Sequence, residues 1–196
     1  MEVDLKLFAT WQPSKLMQCA LWLCGIALAI CVVVLLGVHR PESWVIAWFC
    51  LVAPMMVAID LAEKRLPDLL TLPVAVACLI SVVVCSAVSR DWSLAFQSVS
   101  AMLVLTVVFF LMFIVGKGAF GFGDVKLGLS MGLSLGVFGP LYVAWGTVLS
   151  FAYGAIVGIV MVLTGKATRN SGIAFGPYLI LGTLSMFFVE CLNSGL

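Results

Sequence analysis

Charged side chains are scarce in this chain. Of 196 residues, only 10% are charged, whereas a soluble domain averages about 25%. The net charge of +1 gives no indication of a nucleic acid or an acidic partner. In their place, 64% of the residues are hydrophobic and the mean hydropathy is +1.24. This composition excludes a soluble domain and predicts an all-α, polytopic membrane protein in contact with the lipid bilayer.

Metal-ligand patterns are also lacking. His39 is the only histidine, which disfavours Ser-His or Cys-His catalysis. No pair of cysteines has C-x-x-C spacing, although a zinc site needs about four clustered ligands. We therefore expect neither a metal nor another cofactor. The cysteines are interpreted as small apolar residues within the spans, and they are Cys19, Cys24, Cys31, Cys50, Cys78, Cys85 and Cys191.

Long apolar runs divide the whole chain. A helix needs about 20 residues to cross the hydrocarbon core of a membrane. The runs predict about seven transmembrane helices in a single domain, residues 1–196. The fifth is short if it starts at Asp124 and of full length if it starts at Ala119. The predicted spans are Leu16–Val38, Ser43–Ala62, Leu69–Ser89, Ser93–Val115, one that ends at Phe138, Leu141–Thr164 and Phe175–Cys191.

Lysine and arginine predict the orientation, because they are concentrated in cytoplasmic loops. Seven spans with a cytoplasmic N-terminus leave only Arg40 and Arg90 outside. The same topology brings Asp60 and Asp124 to the cytoplasmic face. The basic residues predicted inside are Lys6, Lys15, Lys64, Arg65, Lys117, Lys126, Lys166 and Arg169.

Two carboxylates stand in or beside apolar runs. Asp60 ends the second span, and Asp124 follows two glycines in Gly121-Phe122-Gly123-Asp124. Ionisable residues at membrane depth are costly, which makes them functional candidates. Two close carboxyl groups can share one proton and hydrolyse a peptide bond without a metal. Gly121 and Gly123, which lack side chains, would let an extended substrate backbone approach, so we predict that they bind substrate.

The remaining acidic residues receive structural interpretations. Asp68 follows a proline and precedes an apolar run, which is typical of a helix N-cap. Lys126 offers Asp124 a possible ion-pair partner, but a spacing of two residues does not share a helix face. We assign the other acids to a solvated loop, to outer turns or to the far end of the last span. They are Glu63, Glu42, Asp91 and Glu190.

Small residues recur every fourth position on two consecutive spans. Such stripes allow helix backbones to approach closely in lipid. Because Gly139-Pro140 connects the two spans, we expect the stripes to face each other in a tight hairpin. One stripe is Asp124, Gly128, Gly132 and Gly136, and the other is Gly146, Ser150, Gly154 and Gly158.

Three segments resemble the signatures of the type IV prepilin peptidases, which are GxGD membrane aspartic peptidases. They begin at Asp60, at Gly121 and at Ile173, where Ala174 stands in place of the proline expected in the third signature. The resemblance implies an inner-membrane endopeptidase that removes the leader of prepilin-like proteins, with Asp60 and Asp124 as its catalytic pair. It also indicates a short, peptidase-only form, because the C-x-x-C motifs of the methyltransferase domain are lacking.

Two other classes remain open. Intramembrane carboxylates also serve proton-coupled transporters, and a non-catalytic assembly subunit could use acids only to hold helices together. Neither the substrate nor the oligomeric state can be derived from the sequence.

Overall fold

The computed structural model describes residues 13–37, 40–64, 66–116, 120–165 and 174–195. These residues form seven helices and no strand, which confirms the all-α prediction. The helices are α1 (Lys15–Leu36), α2 (Pro41–Glu63), α3 (Asp68–Ser89), α4 (Trp92–Val115), α5 (Phe122–Gly136), α6 (Pro140–Leu163) and α7 (Gly176–Gly195).

Six of these helices are long and apolar enough to cross a membrane, so the chain is a multi-pass membrane protein. The exception is α5, which has 15 residues. At 1.5 Å per residue it extends about 22 Å, less than the roughly 30 Å of a hydrocarbon core. The observed start of α5, Phe122, is closer to Asp124 than to Ala119, the two starts considered for the fifth span.

The helix ends follow local chemistry. The Ser14 hydroxyl accepts a hydrogen bond from the Met17 N–H (3.3 Å) at the start of α1. The Asp91 carboxylate accepts one from the Ser93 N–H (2.9 Å) at the start of α4. Gly139 has a φ of +124°, which favours glycine, and the next residue is the first of α6. These caps explain why the predicted boundaries lie close to the observed ones.

The short helix α5 lies at the centre of the bundle. It contacts α2, α3, α4, α6 and α7, and most of its residues are buried. In contrast, α4 and α6 expose most of their span, as lipid-facing helices do. The helix that carries Asp124 is therefore held by neighbours on nearly every side.

The glycines of α5 pack against α4, so the predicted α5–α6 contact between stripes is wrong. A Cβ added at Gly132 would lie 2.5 Å from the Met102 Cα, and one at Gly136 would lie 2.8 Å from the Ser98 Cα. The spacing of a stripe shows that it packs closely but does not specify the partner helix.

The stripe of α6 packs against α7 and, at Gly146, also against α5, where an added Cβ would lie 2.6 Å from the Leu135 Cδ1. A Cβ added at Gly182 of α7 would lie 2.1 Å from the Ser150 Oγ and 2.5 Å from the Gly146 carbonyl oxygen. One added at Gly154 would lie 2.7 Å from the Phe175 ring. Both hairpins, α4–α5 and α6–α7, are thus closed by small residues.

Polar contacts join three helices at the end of the bundle opposite to Asp60. Arg40 pairs with Glu190 (Nη1–Oε1 3.4 Å), and the Tyr142 hydroxyl donates a hydrogen bond to the same carboxylate. These residues connect α2, α6 and α7. Glu190 therefore has a structural role there.

Candidate active site

One end of the bundle collects the residues that the sequence singled out. Here α2 ends, and α3, α5 and α7 begin. Between these ends lies a partly open cavity of about 380 Å³. Its lining includes Asp60, Asp124, Gly121 and Gly123, which are all four of the predicted site residues. The other lining residues are Lys64, Leu66, Asp68, Phe122 and Lys126.

Asp124 is the third residue of α5 and is 6% exposed. Its Oδ2 accepts a hydrogen bond from the Gly121 N–H (3.1 Å), while the Asp124 N–H donates to the Gly121 carbonyl oxygen (3.1 Å). This reciprocal pair caps the helix and fixes the orientation of the carboxyl group. The positive end of the helix dipole also favours a negative charge at this position.

Asp60 lies in the last turn of α2 and is 4% exposed. It does not extend into water, as a carboxylate at a helix end commonly would. Instead, its Oδ2 accepts a hydrogen bond from the N–H of Gly176, the first residue of α7 (2.9 Å). Asp60 and Asp124 line the same cavity, although they belong to separate helices.

Gly176 is a site residue whose role the sequence did not reveal. A Cβ added there would lie 2.7 Å from the Asp60 Oδ2 and 3.2 Å from its Cγ. Only glycine leaves space for this carboxyl group where it stands. The available signal was the Phe175-Gly176-Pro177 segment at the start of the last span, which the sequence linked to a family signature but not to Asp60.

Leu66, which is 7% exposed, is a second residue that the sequence missed. A Cβ added at Gly123 would lie 3.0 Å from the Leu66 Cβ, and one added at Gly176 would lie 3.3 Å from the Leu66 Cδ1. The side chain therefore packs between the starts of α5 and α7. Gly123 lines the cavity, and its lack of a side chain also leaves the space that Leu66 occupies.

Asp68 is not the N-cap of α3, contrary to the prediction. Pro67 occupies that position, and Asp68 is the first helical residue. Its carboxylate forms an ion pair with the Lys126 ammonium, which also lies 4.7 Å from the centre of the Phe122 ring. Lys126 thus pairs with Asp68, on a different helix from Asp124. This long-range contact could not be inferred from local sequence.

The residues that predicted the orientation are only partly described. Lys64 and Lys126 line the cavity, whereas Arg40 lies at the opposite end of the bundle. Several residues named in the sequence analysis lie outside the described residues. They are Lys6, Val38, His39, Arg65, Lys117, Ala119, Lys166, Arg169 and Ile173. Where the structure describes the chain, His, Cys, Asp and Glu form no group of three that could hold a metal ion.

Fold and site together define a class of protein. It is a polytopic membrane protein in which two buried carboxyl groups line one partly open cavity, at the end of the bundle where α2 ends and α3, α5 and α7 begin. Residues 44–163, which include Asp60 and Asp124, match the model of the type IV leader peptidase family. The chain belongs to this family, as the sequence motifs predicted.

Curated relatives agree with this assignment. The chain is 38% identical over 128 residues to a prepilin leader peptidase/N-methyltransferase of Pseudomonas aeruginosa, covering 64% of the chain and 42% of the relative. It is 31% identical over 133 residues to one of Xanthomonas campestris pv. campestris, covering 68% and 45%. A third, from Stutzerimonas stutzeri, is 33% identical over 150 residues, covering 73% and 50%. The chain thus spans about half the length of these relatives. No solved structure shows a significant match.

Proposed function

We propose that this protein is an aspartic endopeptidase that removes the leader peptide from prepilin-like precursors at the membrane boundary. Asp60 and Asp124 are its catalytic pair. The observation that carries the proposal is that two buried carboxyl groups, from separate helices, line one partly open cavity.

The chemistry follows from two carboxyl groups that hold one proton between them, because close like charges resist simultaneous ionisation. The ionised group takes a proton from a water molecule, which attacks the scissile carbonyl carbon. The protonated group donates a hydrogen bond to the carbonyl oxygen and later supplies the proton to the leaving amine. The Gly121 N–H donates to Oδ2 of Asp124, and the Gly176 N–H donates to Oδ2 of Asp60. Each hydrogen bond fixes the position of its carboxyl group.

Gly121 and Gly123 are the proposed binding residues for the substrate backbone. Both line the cavity beside Asp124, and the chain at Gly121 is extended (φ −80°, ψ 146°). Because neither residue has a side chain, an extended peptide backbone can approach Asp124 closely here. The substrate would thereby present its scissile bond in the open conformation that hydrolysis requires.

The proposed location is the inner membrane, with the N-terminus and the cavity on the cytoplasmic side. The distribution of basic residues in the sequence supports this orientation. We further infer that residues 1–196 form a single peptidase domain without a methyltransferase domain, because the sequence contains no C-x-x-C motif. Prepilin-like proteins and lipid are the proposed partners.

The position of the two acids supports this function over proton-coupled transport. Transporter sites lie near the middle of the bilayer. Here Asp60 is in the last turn of α2 and Asp124 is in the first turn of α5, so both are near helix ends. A peptidase that cuts at the membrane boundary can use carboxyl groups near helix ends.

The test is cleavage of an epitope-tagged type IV prepilin co-expressed with the protein, with the new N-terminus read by mass spectrometry. Asp60→Asn and Asp124→Asn should each abolish processing while the protein still inserts into the membrane. Asp91→Asn, at the start of α4, is the matched control and should process normally. Processing that survives both site substitutions would refute the dyad, and proton flux into vesicles that is lost with them would support a transporter instead.

A further inference from the structure

An ion pair connects two segments of the candidate active site. Asp68 is the first residue of α3, and Lys126 is the fifth residue of α5. Their charged groups are in direct contact, and their side chains are 34% and 18% exposed. Both line the same cavity as the two catalytic carboxyl groups, yet the proposed chemistry assigns a step to neither.

The ion pair joins the start of α5 to the start of α3, and a further contact lies close to it. This contact is the packing of Leu66 against Gly123, where an added Cβ would approach the Leu66 N within 3.2 Å. Leu66 contacts Gly123, which precedes Asp124, and Asp68 contacts Lys126, which follows it. The two contacts therefore hold the beginning of α5 on either side of Asp124.

On the N-terminal side of Asp124, the beginning of α5 offers little buried side-chain surface. Gly121 and Gly123 have no side chains, and Phe122 is 47% exposed. The Lys126 ammonium lies over the Phe122 ring and against Asp68, so one cation contacts both the first residue of α5 and the first residue of α3. Both a cation–π contact and an ion pair are stronger where the ammonium is partly withdrawn from water.

From this geometry we infer that Asp68 and Lys126 are positioning residues: their ion pair sets the start of α5 so that Asp124 faces Asp60 at the separation that proton sharing requires. This inference rests on the proposed peptidase function. Neither residue needs to touch substrate. A displacement of about 1 Å in a catalytic group can lower a rate about 100-fold, so a modest ion pair can have a large effect on kcat.

The experiment compares steady-state kinetics of purified variants in lipid nanodiscs on one full-length prepilin. The variants are Asp68→Asn, Lys126→Met, Lys126→Arg and the exchange Asp68→Lys with Lys126→Asp. Glu190→Gln is the matched control, because it breaks the Arg40–Glu190 ion pair at the far end of the bundle. Thermal unfolding is recorded for each.

The two neutral variants should lose about 10- to 100-fold in kcat with KM nearly unchanged. Lys126→Arg should remain close to wild type, and the exchanged pair should recover about tenfold over the slower neutral variant because the attraction is restored. Glu190→Gln should keep the wild-type kcat even where its unfolding temperature falls.

Wild-type kcat in both neutral variants would overturn the positioning role. So would a loss expressed mainly in KM and not recovered by the exchange, because that pattern indicates direct substrate contact. Failure of the proposed function gives a different result, since the wild-type protein itself would then leave the prepilin uncut.

Discussion

Gly176→Ala is the substitution whose effect can be worked out most directly from the geometry of the site. The added Cβ would stand 2.7 Å from the Asp60 Oδ2, whereas ordinary contact begins at 3.4 Å. The carboxyl group must therefore move by about 0.7 Å. Because the end of a side chain can yield, the change should displace Asp60 without unfolding the bundle.

A displacement of this size should lower kcat by about 100-fold, since misplacing a catalytic group by about 1 Å costs about that much. Stability should change little, because alanine is a better helix former than glycine by about 1 kcal/mol. The added Cβ of Gly121→Ala would stand 3.2 Å from the Asp124 Oδ2, so its effect should be smaller. The assay is single-turnover cleavage of a purified prepilin, with folding checked by thermal unfolding.

Gly128→Ala provides the control, because its Cβ would stand 2.9 Å from the Phe109 ring and near no carboxyl group. It should lower the unfolding temperature while kcat of the folded protein stays within about threefold of wild type. If Gly176→Ala folds normally and cleaves within about threefold of the wild-type rate, the conclusion that Gly176 keeps Asp60 in its catalytic position is wrong.

Three further predictions concern the chemistry and the packing. The pH–rate profile should be bell-shaped, because the pair loses activity when both carboxyl groups are protonated and again when both are ionised; a rate that rises to a plateau at high pH would contradict a shared proton. Preincubation with EDTA should leave cleavage of a prepilin unchanged, because the dyad activates water itself, and a loss restored by zinc would contradict this. Gly132→Ala should prevent stable folding, because its Cβ would stand 2.5 Å from the Met102 Cα, a backbone atom that cannot yield easily. The measurement is the loss of monodisperse protein in detergent, and an unchanged unfolding temperature would contradict the α4–α5 packing.

The helices, and the two acids that line the cavity, could be predicted from the sequence, because apolar length and the cost of charge in lipid act locally. The contacts between helices could not. The stripe that contains Gly132 predicted a close partner but not that the partner is α4. Asp68 has the local surroundings of a cap, yet it pairs with Lys126, 58 residues further along the chain. Such choices depend on which surfaces the whole bundle brings together.

The hydrogen bond from Gly176 to Asp60 shows the same limit, because it joins residues 116 positions apart. A glycine at the start of an apolar span is unremarkable when it is considered alone. Its role follows only from the neighbouring carboxyl group, whose position depends on how α2 and α7 pack. Sequence patterns therefore predict which residues are candidates, and the fold determines which of them act on each other.

Cleavage rates of Asp60→Asn, Asp124→Asn and the double variant, measured on one purified prepilin, test the shared dyad most directly. If the two carboxyl groups act as one unit, each single change should lower kcat by at least about 1,000-fold, and the double variant should be no slower than the slower single variant. A single variant that retains a tenth or more of the wild-type rate would contradict the dyad, as would a double variant slower than either single variant by a further factor of about 1,000.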